Sequence, residues 1–273
     1  SPRIQNKDET IIGSAVKYVF GGKGGNQAIA ADRNGATTFF AGRVGSDSFA
    51  DLLTKQLEGS SVNFSALQVG PGASGMSVAI VEASGEYGAA VVSGENTNID
   101  ETLIKIPENT GVLLLQNEIS ETVNLEIAKK AKAAGCKVWL NAAPAKKINS
   151  AFFSLVDICI VNRVEAEFYN FINSNKTHKN LTIIKTLGHE GLELIKPNGK
   201  IRKIPAFSVN SISSHGAGDM FIGALAARYL IGDTMENALL YAQAAAALFI
   251  SKAEEERAGI TQRAVIDFME NNL

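Results

Sequence analysis

The sequence predicts an α/β fold with a doubly wound, mostly parallel sheet and a small discontinuous β lid, and three observations support it. Beyond residue 100, short apolar runs at 112–115, 138–140, 158–161 and 181–185 alternate with helical patterns at 121–134 and 163–171. Strands separated by helices form βαβ units, whose parallel sheet is covered on both faces. Two extended runs, 75–81 and 87–92, flank Glu82-Ala83-Ser84-Gly85-Glu86, which reads as a hairpin loop. Three closing helices are expected at 219–230, 235–251 and 261–270.

Taken in order, residues 10–20 read as an extended segment, interrupted by Gly21-Gly22-Lys23-Gly24-Gly25-Asn26-Gln27. The small and apolar residues of 26–34 suit a buried helix stopped at Gly35. Residues 37–44 form a strand by β-branched and aromatic content. A helix over 47–57 places Phe49, Leu52, Leu53 and Leu57 on one face. Residues 192–196 and 200–204, joined by Pro197-Asn198-Gly199, form a second hairpin. The expected division is an α/β core of 21–74 and 93–273, with a lid of 10–20 and 75–92. The chain opens Ser1-Pro2-Arg3 without a methionine, and its first ten residues lack periodicity. A preceding segment, missing here, is therefore expected.

Composition bounds the function. A chain of 273 residues with 45% hydrophobic and 20% charged residues can bury a sizeable core. A net charge of -2 gives no reason to expect nucleic acid or an anionic membrane as partner. The longest apolar run, 238–250, contains Gln243 and falls short of the roughly 20 residues that span a bilayer. No signal peptide is read, and Cys136 and Cys159 lack metal-ligand spacing. A cytoplasmic protein is expected.

The chemistry concentrates at predicted strand ends, where open α/β sheets bind ligands. Asn117-Glu118, Asn141, Asn162 with Glu165, and Thr186-Leu187-Gly188 all fall there. Each alone reads as a cap or turn. Near the C-terminus, Gly216-Ala217-Gly218-Asp219 opens an apolar helix. Small residues at a helix start let backbone N–H groups approach an anion, and an acid beside them can serve as a general base. The glycine-rich stretch is not a P-loop, because no Gly-x-x-x-x-Gly-Lys-Ser/Thr occurs. Nor does a Gly-x-Gly-x-x-Gly follow a strand.

With these motifs the chain resembles the ribokinase family of sugar and nucleoside kinases, from about Gly21 to about Phe249. Gly21 to Ala28 is similar to the family's first signature, which implies that Gly22, Lys23 and Asn26 contact sugar hydroxyls. Gly216-Ala217-Gly218-Asp219 is similar to the second, which implies an anion hole at 216–218 and Asp219 as catalytic base. Asn162-x-x-Glu165 resembles the element acting on magnesium and phosphate, with Glu165 reaching Mg2+ through water. Glu118 falls where the family places a sugar-contacting glutamate. Thr186, Gly188 and Gly191 resemble the strand end and turn bordering ATP. Gly94-Glu95-Asn96 resembles the family's Gly-Ala-Asn after the lid. The resemblance implies ATP-dependent phosphorylation of a primary hydroxyl, of ribose or a similar sugar, with a nucleoside kinase or a non-catalytic sensor as rivals. A sugar-phosphate acceptor is disfavoured, because 75–92 contains no Lys or Arg. A homodimer through the lid is also implied.

Departures are visible. No strand carrying an Asn-x-Asp is read before Gly21, Arg163 replaces a frequent glutamate, and Ser213-Ser214-His215 stands where Asp-Thr-Thr is common. The charged run 252–257 replaces a small-residue loop. Ser213 offers no carboxylate to a potassium ion, so activation by K+ is expected to be weak or absent. His215 reads as a neutral residue lining the cleft. A second reading lets His215 or Arg257 set the field at the hole. His178 and His189 read as surface-loop residues.

Overall fold

The structure, a computed structural model, describes residues 8–81, 87–170 and 180–272. Along the chain run α1 (Lys23–Arg33), β1 (Phe39–Val44), α2 (Ser48–Glu58), β2 (Asn63–Val69), β3 (Met76–Val81) and β4 (Tyr87–Val92). There follow β5 (Val112–Gln116), α3 (Glu121–Ala133), β6 (Lys137–Asn141), α4 (Ser150–Phe153), β7 (Ile158–Val161), α5 (Arg163–Tyr169) and β8 (Thr182–Thr186). The chain closes with β9 (Leu192–Ile195), β10 (Ile201–Ile204), α6 (Ala217–Leu230), α7 (Met235–Ile250) and α8 (Gln262–Glu270).

A six-stranded sheet in the order β10-β9-β8-β7-β6-β5 forms the centre. Strands β5 to β8 are parallel, and β9 and β10 join antiparallel as the expected hairpin. The parallel strands are apolar on both faces because both are covered. Trp139, Ile160 and Ile184 face α6 and α7, while Val138, Leu140 and Cys159 face α3, α4 and α5. Each such large apolar side chain contributes roughly 1.5–3 kcal/mol by leaving water. Trp139 also meets Tyr229 of α6 edge-on, ring centroids 5.1 Å apart. Register sets the site: Gln116 pairs with Asn141, and Asn141 with Ile160, so polar side chains line up at the carboxyl ends.

Outside this sheet, β1 and β2 pair in parallel, and β3 and β4 form a separate antiparallel ladder. Glu95, which stands where the resembled family carries alanine, fastens the pieces together. Its carboxylate accepts from Arg43 Nε at 2.7 Å and from the Gly72 N–H at 2.9 Å.

Several expectations change. Residues 10–20 contain no strand. Their β-branched content fits a pleated, half-buried surface, but Ile12 and Val16 are exposed and no strand edge lies alongside. Tyr18 against Phe49 and Lys17 against Glu254 are their side-chain anchors. The glycine-rich stretch is not a loop before a helix. Helix α1 already begins at Lys23 and includes Gly24 and Gly25, where a Cβ would run into Gln116, Phe40 and Phe20. Strand β2 has no counterpart in the sequence reading, and Gly70-Pro71-Gly72-Ala73-Ser74-Gly75 after it shows that a Gly-x-Gly-x-x-Gly does follow a strand, although it leads into β3 and opens no helix. The loop 82–86, Phe171 and His178 lie outside the described residues.

Candidate active site

Helix α6 begins on Gly216, whose φ of 80° places it in the left-handed region that glycine tolerates. Phe249 of α7 lies directly beneath; a Cβ on Gly216 would sit 3.2 Å from its ring. The N–H of Ala217 is taken by the Ser214 carbonyl at 3.2 Å. Gly218 and Asp219 are therefore the first-turn residues whose N–H groups have no preceding intrahelical carbonyl. Gly218 is exposed, so an anion can reach this end. Of the three residues expected to form an anion hole, Ala217 has already spent its donor.

Helix α1 crosses α6 at Gly223, where a Cβ would fall 2.5 Å from Ala30 Cβ and 2.7 Å from the Gln27 carbonyl. That close crossing carries α1's polar residues to Asp219. Asn26 Nδ2 donates to Asp219 Oδ2 at 3.1 Å, and Gln27 Nε2 to Oδ1 at 3.0 Å. Gln27 Nε2 also reaches Asn141 Oδ1 at 3.3 Å, and its Oε1 accepts from Gln116 Nε2 at 2.7 Å. Gln27 is only 1% exposed. The sequence reading passed it over, and its one signal was a lone amide ahead of the small apolar run Ala28 to Ala31.

Glu118 caps α1 from outside, accepting from the Lys23 N–H at 2.8 Å where the helix end favours negative charge. Burial pushes the Glu118 carboxyl up, opposed by that N–H, while the charge of Asp219 adds to the rise. Lys23, Asn26, Glu118 and Asp219 are thus gathered in one cluster, with Asn141 joined through Gln27.

Asn162 and Glu165 form a capping box on α5. Glu165 Oε2 accepts from the Asn162 N–H at 2.7 Å, and Asn162 Oδ1 from the Glu165 N–H at 2.9 Å. Burial raises the Glu165 carboxyl, and Lys23 lowers it through space. Among the described residues no three His, Cys, Asp or Glu side chains gather as a metal cage. A lone carboxylate with spare lone pairs suits Mg2+, which keeps most of its waters and leans on phosphate oxygens.

Thr186 closes β8, its hydroxyl 3.4 Å from the Val161 carbonyl. Gly188 lies open, with nothing within 4 Å of a hypothetical Cβ, whereas Gly191 is hemmed in by the Ile204 carbonyl at 2.1 Å. Its glycine serves the β9–β10 hairpin. His189 is exposed in this turn, and Arg163 Nη2 holds Glu190 at 2.8 Å. His215 is exposed at the rim. Gly22 caps α1 with φ 89°.

Arg257, only 9% exposed, enters behind the α6 start. Its Nη2 donates to the Ser213 carbonyl at 2.9 Å, its Nη1 to that of His215 at 3.3 Å and its Nε to that of Lys252 at 3.2 Å. The guanidinium carbon lies 4.3 Å from the centroid of the Phe249 ring.

Residues 1–258 match the pfkB family carbohydrate kinase model. A ribokinase from Haemophilus influenzae is 29% identical over 99% of this chain and 94% of its own length. One from Staphylococcus aureus is 30% identical over 92% of this chain and 88% of its own. A ribokinase structure from Arabidopsis thaliana, complexed with ribose and ATP, superposes with a TM-score of 0.87 at 24% identity. It covers 98% of this chain and 93% of its own, a likeness that concerns the fold.

Proposed function

The chain belongs to the pfkB family of carbohydrate kinases, and from that premise we propose that it transfers the γ-phosphoryl group of ATP to a primary hydroxyl of ribose. The observation that carries this reading is Asp219, held by two amides at a helix start whose Gly218 is exposed. Ribose as acceptor is supported by the ribokinases of Haemophilus influenzae and Staphylococcus aureus, similar along nearly their whole length.

Phosphoryl transfer asks for positioning and charge neutralisation. Asn26 and Gln27 aim the Asp219 carboxylate, which accepts the hydroxyl proton as the new P–O bond forms. The Gly218 and Asp219 N–H groups meet the charge on the transferred group without reorganising. Gly22, Lys23, Asn26 and Glu118 grip the sugar. Thr186 and Gly188 border the nucleotide, while Gly191 shapes their turn. When bound, Mg2+ would neutralise charge on the phosphates, and Glu165, oriented by Asn162, would hold it. Strands β3 and β4 with residues 10–20 form a lid that keeps water from the bound ATP. Val78 and Val92 are exposed on one face of that ladder, and a second subunit's lid covers this face in a homodimer.

The test is ADP release from the full-length protein with ribose, other pentoses, hexoses and nucleosides. Ribose is expected to stimulate most, and Asp219→Asn to lower that turnover by about 10²–10⁴. The asparagine can satisfy Gln27 only with its oxygen, since Gln27 Oε1 is committed to Gln116; Asn26 must then turn its amide over. Near-normal turnover in this variant would reduce Asp219 to a helix cap.

A further inference from the structure

A buried arginine whose three kinds of nitrogen each hold a main-chain carbonyl is an unusual investment behind a helix start. Carbonyl oxygens converging on one point form a cation cage, because each turns the negative end of its dipole inward. The Ser213, His215 and Lys252 carbonyls converge on Arg257. They come from the turn that delivers Gly216 and from the residues after α7. The same turn is pinned by the Ile212 N–H to the Ile250 carbonyl at 2.7 Å. Phe249 sits between Arg257 and Gly216, touching both. Arg257 thus sets the turn's position directly through Ser213 and His215, and the floor of α6 through Phe249.

We propose that the Arg257 guanidinium is a built-in cation that positions the α6 amino terminus, taking the place that a monovalent ion would need. The fit for potassium is poor: the carbonyls that would ligate it are occupied, and Ser213 brings no carboxylate. Arginine suits the post better than lysine, since a planar fork reaches three separated acceptors where an ammonium is a compact point charge. The positive charge also adds to the field that the helix end presents to a phosphoryl group. Arg257 is a positioning residue in this scheme, acting through the turn and Phe249. The inference rests on the kinase reading for its catalytic arm only.

The experiment compares wild type with Arg257→Ala and Arg257→Lys in a buffer whose sole cations are Mg2+ and tetramethylammonium. Wild-type turnover is expected to change less than about twofold on adding potassium. Arg257→Ala is expected to lose about 10²-fold in kcat, the cost of a misplaced catalytic end, with the KM for sugar little changed. Arg257→Lys should fall between the two. Potassium, or guanidinium well below denaturing concentrations, should recover at least a tenfold part of the Arg257→Ala loss. Hydrogen exchange over residues 212–220 reads the same cage without any acceptor: faster in Arg257→Ala, slowed again by either cation. A wild type inactive with every acceptor would sink the kinase reading and leave the exchange measurement to decide this one. Unchanged kcat in Arg257→Ala would overturn the proposal. So would a loss, or an acceleration of exchange, that neither cation reverses, and so would a wild type strongly stimulated by potassium.

Discussion

Replacing Gln27 with leucine removes three hydrogen bonds from one buried point. The bond to Asp219 Oδ1 at 3.0 Å has a charged acceptor and is worth about 1.5–3 kcal/mol. The short bond from Gln116 and the longer one to Asn141 each add about 0.5–1.5 kcal/mol. Leucine at this buried position returns roughly 1–2 kcal/mol of apolar burial. The net loss is then about 2–4 kcal/mol. For a chain this large each kcal/mol moves Tm by about 2–4 °C, so a fall of roughly 5–15 °C is expected. Catalysis should suffer as well, because Asn26 alone would orient the carboxylate. We expect kcat to fall about 10- to 100-fold while the KM for ATP holds. Gln27→Glu makes the complementary point: it keeps the shape but sets two carboxylates about 3 Å apart, and only one can ionise readily. Thermal unfolding and initial rates on the same preparations give both answers. A leucine variant that keeps kcat within twofold, whatever its Tm, would show that Asp219 does not depend on this network.

Gly191→Ala should destabilise by about 2–4 kcal/mol in denaturant melts, since φ is +92° and a backbone oxygen fills the space. Gly188→Ala, left-handed but open, should cost only about 1–2 kcal/mol. Equal losses at the two positions would contradict the hairpin role assigned to Gly191. Burial raises Glu118 in the folded state, so its ionisation opposes folding. That stability is present below the ordinary glutamate range, about 4.3, and is lost as pH rises through the raised folded value. Glu118→Gln should therefore flatten the Tm profile above that range while weakening sugar binding about tenfold by calorimetry; a profile unchanged in slope would refute it. Light scattering should report a dimer, which Val78→Glu converts to monomer; a dimer untouched by that change would place the contact elsewhere.

Much of the frame could be read from the chain because its signals are local. The run Ile158-Cys159-Ile160-Val161 is apolar without interruption, as a strand buried on both faces must be, and β7 spans those four residues. Asn162-x-x-Glu165 announces a capping box in four letters. Other parts depend on what lies far along the chain. Strand β2 alternates polar and apolar residues at an exposed edge, with only β1 to define it. Residues 10–20 have strand-like composition but pair with no described strand. Gln27 takes its meaning from Gln116, Asn141 and Asp219, on three separate elements, and no window of sequence contains them together. Arg257 ends the charged run 252–257, and two of the carbonyls it holds, those of Ser213 and His215, lie more than forty residues away along the chain.

Trp139 is the one tryptophan in the sequence. It is wholly buried, with its ring edge-on to Tyr229 of α6. Its indole is shielded from water and from dissolved quenchers, and it stands on β6 two residues before Asn141, against Tyr229 of the helix that begins at Asp219's turn. Nature has thus placed a single optical probe between the central sheet and the helix that carries the chemistry. Its emission should be blue-shifted in the native protein and sensitive to any tilt of α6, so ligand-induced movement can be followed in stopped flow without attaching a dye.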